Sequence, residues 1–134
     1  MHFSFDPKFQ QHVVASFLEA ELAEGLECLK EEYFEDEITG DIAEVVGDFY
    51  LEHKEAPTEE ALIHEVRERG IKPGRRISEY TDAVSEIFEK VGHNGAYYRG
   101  KAQEFAKRKK LAASLKESYR LLEQGKLEDA LAEI

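Results

Sequence analysis

Apolar residues recur every three or four positions along most of the chain, which is the spacing of one face of an α-helix. The first such stretch begins with Asp6 and Pro7, and an acid followed by proline is a common start for a helix. The sequence therefore predicts a first helix here. Its apolar face is formed by Phe9, Val13, Phe17 and Leu18.

The next stretch is ambiguous, because Leu22, Leu26 and Leu29 continue the pattern either as a second short helix or as an extension of the first. Gly25 leaves the boundary between these two interpretations open. After the segment EEYFEDE the pattern becomes regular and predicts a core-facing helix of about four turns. Its apolar positions are Ile38, Ile42, Val45, Val46, Phe49 and Tyr50.

Pro57 and Thr58 mark the joint to the following helix, since proline stops a helix and threonine caps the start of one. Gly70 lies where this helix is expected to end. Another helix follows the turn-forming segment RGIKPGRR. The apolar positions of these two helices are Leu62, Ile63 and Val66, and then Ile77, Tyr80, Val84, Ile87, Phe88 and Val91.

From Ala96 to Gln124 only Gly100 opposes helix formation, so the sequence predicts one long helix that stops at Gly125. Residues 126–134 then place Leu127, Ala130, Leu131 and Ile134 on one face of a short returning helix. The fold class predicted is all-α: a head of about five short helices over residues 1–92, and a long-helix hairpin over 93–134 in the same single domain.

The seam predicted for the long helix alternates steps of three and four, which is the spacing of a coiled coil. Its members are Phe105, Arg108, Ala112, Leu115, Tyr119 and Leu122.

Charge is distributed unevenly over the 134 residues. Residues 1–66 carry 18 acids and 3 bases, whereas residues 67–134 carry 11 acids and 15 bases, and the net charge of the whole is −11. Opposite-signed halves favour contact between copies or separate surfaces for separate partners. No apolar run approaches the roughly 20 residues that span a bilayer, and the start lacks the regions of a signal peptide. We therefore expect a cytoplasmic protein without membrane contact.

Candidate chemistry is sparse. GAYYRGKA, residues 95–102, matches a phosphate-binding loop except that Ala102 replaces the hydroxyl residue, and no buried strand precedes it, so a helix start is favoured. The histidines lack the spacing of metal-binding motifs, and Cys28, the single cysteine, lies at an apolar position where a buried thiol is expected. We expect a non-catalytic chain without a cofactor.

A tract of consecutive bases, Lys107, Arg108, Lys109 and Lys110, lies in the middle of the predicted long helix. Such a tract can contact nucleic-acid phosphate. The strongly acidic total charge favours contact with an acidic protein surface instead, so weak or indirect DNA contact is the secondary interpretation. The tract is thus a candidate docking surface for a partner.

Three blocks in this order resemble the N-terminal domain of DnaB-type replicative DNA helicases, especially phage members. They are FDPKFQQHVVASFL, EEYFEDEITGDIAEVVGDFYLEHKEAPTEEAL and AYYRGKAQEFAKRKKLAASLKESYRLLEQGKLEDALAEI. The resemblance extends over nearly the whole chain. The middle block is the most specific, with its Phe49-Tyr50 pair followed by Pro57, Thr58 and Leu62. The shared features are core and cap residues and not catalytic signatures.

This resemblance implies a head of short helices and a hairpin that pairs between subunits, so that paired domains form a collar on a hexameric ring. It also implies that ATP hydrolysis belongs to a RecA-like domain beyond Ile134, and that primase or a helicase loader docks on the collar. The location implied is the cytoplasm or nucleoid of a bacterial host cell. The residues that match the pairing hairpin are Phe105, Arg108, Ala112, Leu115, Tyr119, Leu122, Leu127, Leu131 and Ile134.

Two alternatives share the plan of a helical head and a hairpin. One is the C-terminal, helicase-binding domain of a primase, and the other is a free-standing helicase loader or replisome organiser. The reading frame beyond Ile134 distinguishes them from the helicase itself, because only the helicase requires a phosphate-binding loop downstream.

Overall fold

The computed structural model describes residues 6–19, 28–70, 72–125 and 132, and within these ranges it contains helices and no strand. The predicted all-α class is confirmed, with a head of short helices and a long C-terminal helix. A 3₁₀ turn, Glu31–Tyr33, precedes the second helix. The helices are α1 (Pro7–Leu18), α2 (Glu37–His53), α3 (Glu59–Arg69), α4 (Ile77–Glu89) and α5 (Gly95–Glu123).

Helix α1 is buried on almost every side. It packs against both α2 and α4, so Val13, Val14 and Phe17 are all excluded from solvent. The sequence predicted a single apolar face that included Phe9 and Leu18, but these two residues are only half-buried. The face predicted from spacing is therefore narrower than the buried surface of a helix that has neighbours on two sides.

Two polar side chains of α1 enter this core and are hydrogen-bonded there. The Gln10 Oε1 atom accepts from the backbone N–H of Asp36 at 2.9 Å, and the Gln11 Nε2 atom donates to Glu86 Oε2 at 2.8 Å. A buried amide without such partners costs free energy, so these two bonds make burial of the glutamines tolerable. They also fix α1 against the start of α2 and against α4.

The predicted helix starts agree with the structure at two places. Asp6 caps α1, since its Oδ1 atom accepts from the backbone N–H of Phe9 at 2.8 Å. Thr58 caps α3 by accepting from the backbone N–H of Ala61 at 3.2 Å. Both bonds satisfy a donor that has no partner within the first turn of a helix.

Other boundaries differ from the predicted ones. Leu29 is buried but lies outside any helix, just before the 3₁₀ turn, so the helical interpretation of this position was wrong. Its apolar side chain is buried in the core although the backbone there is irregular. The spacing of apolar residues alone does not distinguish such a segment from a helix. Leu22 and Leu26 lie outside the described residues. Helix α4 ends at Glu89, and Val91 follows in a turn.

Helix α5 begins within one residue of its predicted start and ends within one residue of its predicted end, and Gly125 follows with a φ of 77°. Only Ala132 is described within the predicted return helix of residues 126–134, and it is helical. Leu127, Ala130, Leu131 and Ile134 lie outside the described residues, so the hairpin stays a prediction.

The chain divides into two compact units, residues 1–102 and residues 103–134. The first turns of α5 therefore belong to the first unit, where Tyr98 and Arg99 contact α1. The Tyr98 ring lies 5.2 Å from the Phe9 ring and 4.3 Å from the His12 ring. Arg99 Nη1 donates to the backbone carbonyl of Ser16 at 2.8 Å.

Candidate interaction surfaces

Helix α5 carries a row of large apolar side chains that are exposed to solvent. Leu111, Leu115, Tyr119 and Leu122 are each between 49% and 65% exposed. Their spacings of four, four and three residues place them along one face of the helix. We call these four residues the apolar stripe.

The apolar stripe contains most of the predicted seam but is not identical with it. Leu115, Tyr119 and Leu122 belong to both, and Leu111 was missed although it lies four residues before Leu115. Ala112 and Arg108 of the predicted seam are exposed, and Phe105 is half-buried. Within residues 103–123 of α5, the buried residues are Ala106, Ser118 and Leu121.

Lys107, Arg108, Lys109 and Lys110, which we call the basic segment, lie at the start of the second unit. Lys107, Arg108 and Lys110 are exposed and Lys109 is half-buried. Within the part of the chain that the structure describes, none of the four forms an ion pair. Arg120, by contrast, is bonded to the carboxylate of Glu117 on the same helix.

A groove of about 640 Å³ lies in the first unit, beside α2 and the segment that leads into it. Apolar side chains line part of it and carboxylates line much of the rest. We call it the acidic groove. Its lining residues are Leu29, Lys30, Glu31, Glu32, Phe34, Glu37, Glu44, Gly47, Asp48 and Leu51.

Behind this groove Lys72 joins two acidic side chains. Its Nζ atom lies 2.5 Å from Glu31 Oε1 and 2.6 Å from Asp41 Oδ1, and the Tyr80 hydroxyl donates to Asp41 Oδ2 at 2.7 Å. These residues line a second cavity of about 470 Å³. The arrangement ties the segment after α3 and helix α4 to α2.

The pKa values in this cluster are shifted in opposite directions. The hydrogen bond from Lys72 lowers the pKa of Glu31 to about 2. The hydrogen bond between the Glu31 and Glu44 carboxyl groups raises the pKa of Glu44. Burial, followed by the bond to Asp41, raises the pKa of Tyr80 to about 12. Lys72 is thus paired with Glu31 and Asp41.

The segment GAYYRGKA forms the first turns of α5, as the helix-start interpretation predicts. A Cβ atom at Gly95 would overlap Glu19 Oε1. The Glu19 carboxylate is held there because it accepts a hydrogen bond from the backbone N–H of Gly92 and another, at 3.3 Å, from Arg99 Nη1. A carboxylate therefore occupies the space in front of this helix start. The chain's own Glu19 thus fills the position in which an anion could bind at this helix start.

The described residues form neither a metal-binding cluster nor a membrane-spanning helix. In residues 6–19, 28–70, 72–125 and 132, no group of three or more His, Cys, Asp and Glu side chains is placed to hold a metal ion. No helix of that part of the chain is long and apolar enough to cross a membrane. Cys28 is fully buried, as its apolar position predicts.

Comparisons with protein-family models, curated proteins and solved structures found no match for this chain. The functional interpretation therefore depends on the surfaces themselves. The sequence identified the basic segment and three members of the apolar stripe. It missed the acidic groove and the Lys72 cluster, because their residues are up to 41 positions apart in the chain.

Proposed function

We propose that this chain is a non-catalytic assembly domain that pairs with a second copy of itself through the apolar stripe of α5. The observation that carries the proposal is the run of four large apolar side chains left exposed along one helix face. Large exposed apolar patches are typical of protein interfaces, and a helix with an apolar row at this spacing packs well against a similar helix.

A second copy is the occupant that the stripe fits best. In a two-fold symmetric pair the same surface meets itself, so one row of leucine and tyrosine side chains supplies both sides of the contact. Tyr119 adds a large ring with a polar tip, a residue type that is enriched in interfaces. Leu111 and Leu122 mark the two ends of the patch.

The biological context that we propose is the collar of a DnaB-type replicative DNA helicase, on which primase or a helicase loader docks during DNA replication. The support is the order of sequence blocks together with a structure in which a head of short helices precedes a long helix. In this proposal the collar has no catalytic role, and ATP hydrolysis belongs to a separate domain of the parent protein. DNA contact by the basic segment is weak or indirect.

The pairing is tested by replacing Leu115 and Tyr119 together with aspartate, which places two charges in the middle of the stripe. We expect the double variant to lose the pairing through the stripe and to sediment as smaller species than the unchanged chain at the same concentration. Ala113→Asp with Gln124→Asp is the matched control, because both residues are exposed and lie off the stripe. An unchanged mass distribution for the stripe variant contradicts the proposal.

The helicase context has a separate test in the gene itself. A phosphate-binding loop of a RecA-like domain downstream of Ile134, in the same reading frame, is the expected result. A stop codon directly after Ile134 contradicts the helicase assignment, leaves the pairing surface in place, and favours a primase domain or a free-standing loader.

A further inference from the structure

The acidic groove presents an apolar surface that has no cover among the described residues. Leu51 lines it and is 57% exposed, while Leu29 and Phe34 form more deeply buried parts of its wall. A concave surface of about 640 Å³ with an exposed leucine is suited to receive an apolar side chain from another molecule.

The carboxylates around this apolar surface determine the charge of the occupant. Glu37 and Asp48 are paired with Arg75 at 2.8 Å and Arg69 at 3.0 Å. Glu32 is exposed and forms no ion pair within the described parts of the chain. Glu44 is also exposed, and the neighbouring Glu31 carboxyl group raises its pKa. Glu32 and Glu44 are therefore the two carboxylates that a cationic occupant would neutralise.

The chain itself carries a segment with the required chemistry. The basic segment places four positive charges directly before Leu111, which is 59% exposed. We propose that the acidic groove of one copy binds the basic segment and Leu111 of a second copy. The contact buries an apolar side chain beside Leu51 and brings lysine ammonium groups to Glu32 and Glu44, a form of helix-in-groove recognition.

This interface differs in symmetry from pairing through the apolar stripe. The two contacts share Leu111, at one end of the stripe, so the Leu111 side chain of a given copy takes part in one of them at a time. The groove and the basic segment are different surfaces, so each copy uses its groove for one neighbour and its basic segment for another. Such a contact is heterologous and builds a ring or an open chain of copies. Because its charged groups are exposed, we expect it to weaken as salt increases.

Charge reversal on each side tests the contact. The variants are Glu32→Lys with Glu44→Lys for the groove, and Lys107→Glu with Lys110→Glu for the basic segment. Both are made in the Leu115→Asp, Tyr119→Asp background, which removes pairing through the stripe. We expect each reversal alone to raise the dissociation constant of the remaining association roughly tenfold, because two exposed ion pairs are replaced by repulsion. We expect an equimolar mixture of the two reversed variants to restore it.

Matched controls carry the same charge changes on other surfaces: Glu55→Lys with Glu60→Lys, and Lys8→Glu with Arg67→Glu. All four residues are exposed and none lines the groove. Association that falls equally in these controls, or that is not restored by the mixture, overturns the proposal. Circular dichroism of every variant verifies that the helices are retained.

A second measurement uses the unchanged chain and so does not depend on the folding of variants. Copies grown with ¹⁴N and ¹⁵N are mixed and treated with a carbodiimide, which joins neighbouring carboxylates and amines directly. We expect cross-links between Glu32 or Glu44 of one isotope and Lys107 or Lys110 of the other. Cross-links confined to single-isotope pairs, or their absence, overturn the proposal.

Discussion

The packing of one side chain, His12, makes the stability of the head depend on pH. Its Nδ1 atom is buried and, among the described residues, has no hydrogen-bond partner, while its ring stacks on Tyr98 at 4.3 Å. Burial lowers the pKa of His12, the nearby Lys90 and His93 lower it further, and Asp6 opposes them. The folded chain therefore holds this imidazole in its neutral form.

From this we predict that stability falls as pH decreases below about 6.5, the ordinary pKa of histidine. In that range the unfolded chain binds a proton that the folded chain resists, so the free energy of unfolding decreases. Each unit by which the pKa is lowered contributes at most about 1.4 kcal/mol. Urea unfolding followed by circular dichroism, from about pH 7.5 to about pH 5, measures the slope.

His12→Phe is expected to reduce this slope, because it keeps an aromatic ring beside Tyr98 and removes the titrating group. The control is His64→Gln, since His64 is exposed on α3. Equal pH dependence in the two variants and the unchanged chain would count against the role assigned to His12.

Single residues also show where sequence reasoning works. Asp6 and Thr58 were predicted as caps, because a cap depends on residues three positions away. The contacts of Lys72 and of Arg99 were not predicted, since each reaches a residue brought near only by the packing of helices.

Among the helices, the start of α5 depends on a carboxylate contributed by the residue that follows α1. Glu19 bonds to the backbone N–H of Gly92 and to Arg99, and it lies so close to Gly95 that a side chain there would displace it. Gly100, one and a half turns further along the same helix, has no atom within 4 Å of an added Cβ.

We predict opposite effects for alanine at these two glycines. Gly100→Ala should stabilise the chain by about 0.5–1 kcal/mol, the usual gain when alanine replaces glycine within a helix. Gly95→Ala should destabilise it by about 1 kcal/mol, because the displaced Glu19 loses its hydrogen bonds. Denaturant unfolding compares the two, and equal stabilisation would show that Glu19 contributes nothing at this helix start.

The positions of α2, α3 and α5 could be predicted well because strong periodicity or clear capping residues mark them. The burial of α1 on almost every side could not be predicted, since the pattern of one helix does not reveal how many neighbours pack around it. The same limit applies to the apolar stripe. Spacing identified Leu115, Tyr119 and Leu122 as one face of a helix, but only the three-dimensional structure shows that no other described element covers them.

For the molecule as a whole, the division into two compact units separates the head from the residues proposed to pair. The contacts among α1, α2, α3 and α4 all lie within the first unit, and Tyr98 and Arg99 lie there too. The apolar stripe and the basic segment both lie in the second unit.

We therefore predict that a fragment of residues 1–102 folds alone and remains a monomer. It retains the contacts of the head and lacks both surfaces of α5 that are proposed to bind a second copy. Circular dichroism should show helices that unfold cooperatively, and sedimentation should give a single monomeric species. An unfolded fragment, or self-association equal to that of the full chain, would contradict the prediction.

The complete burial of Cys28 has a practical consequence for such measurements. Because it is the single cysteine of the sequence and its side chain is shielded from solvent, a thiol introduced at an exposed position reacts first with a maleimide dye or spin label. Reporter groups can then be attached one at a time along α5, and distances between neighbouring copies can be read spectroscopically without altering the native core.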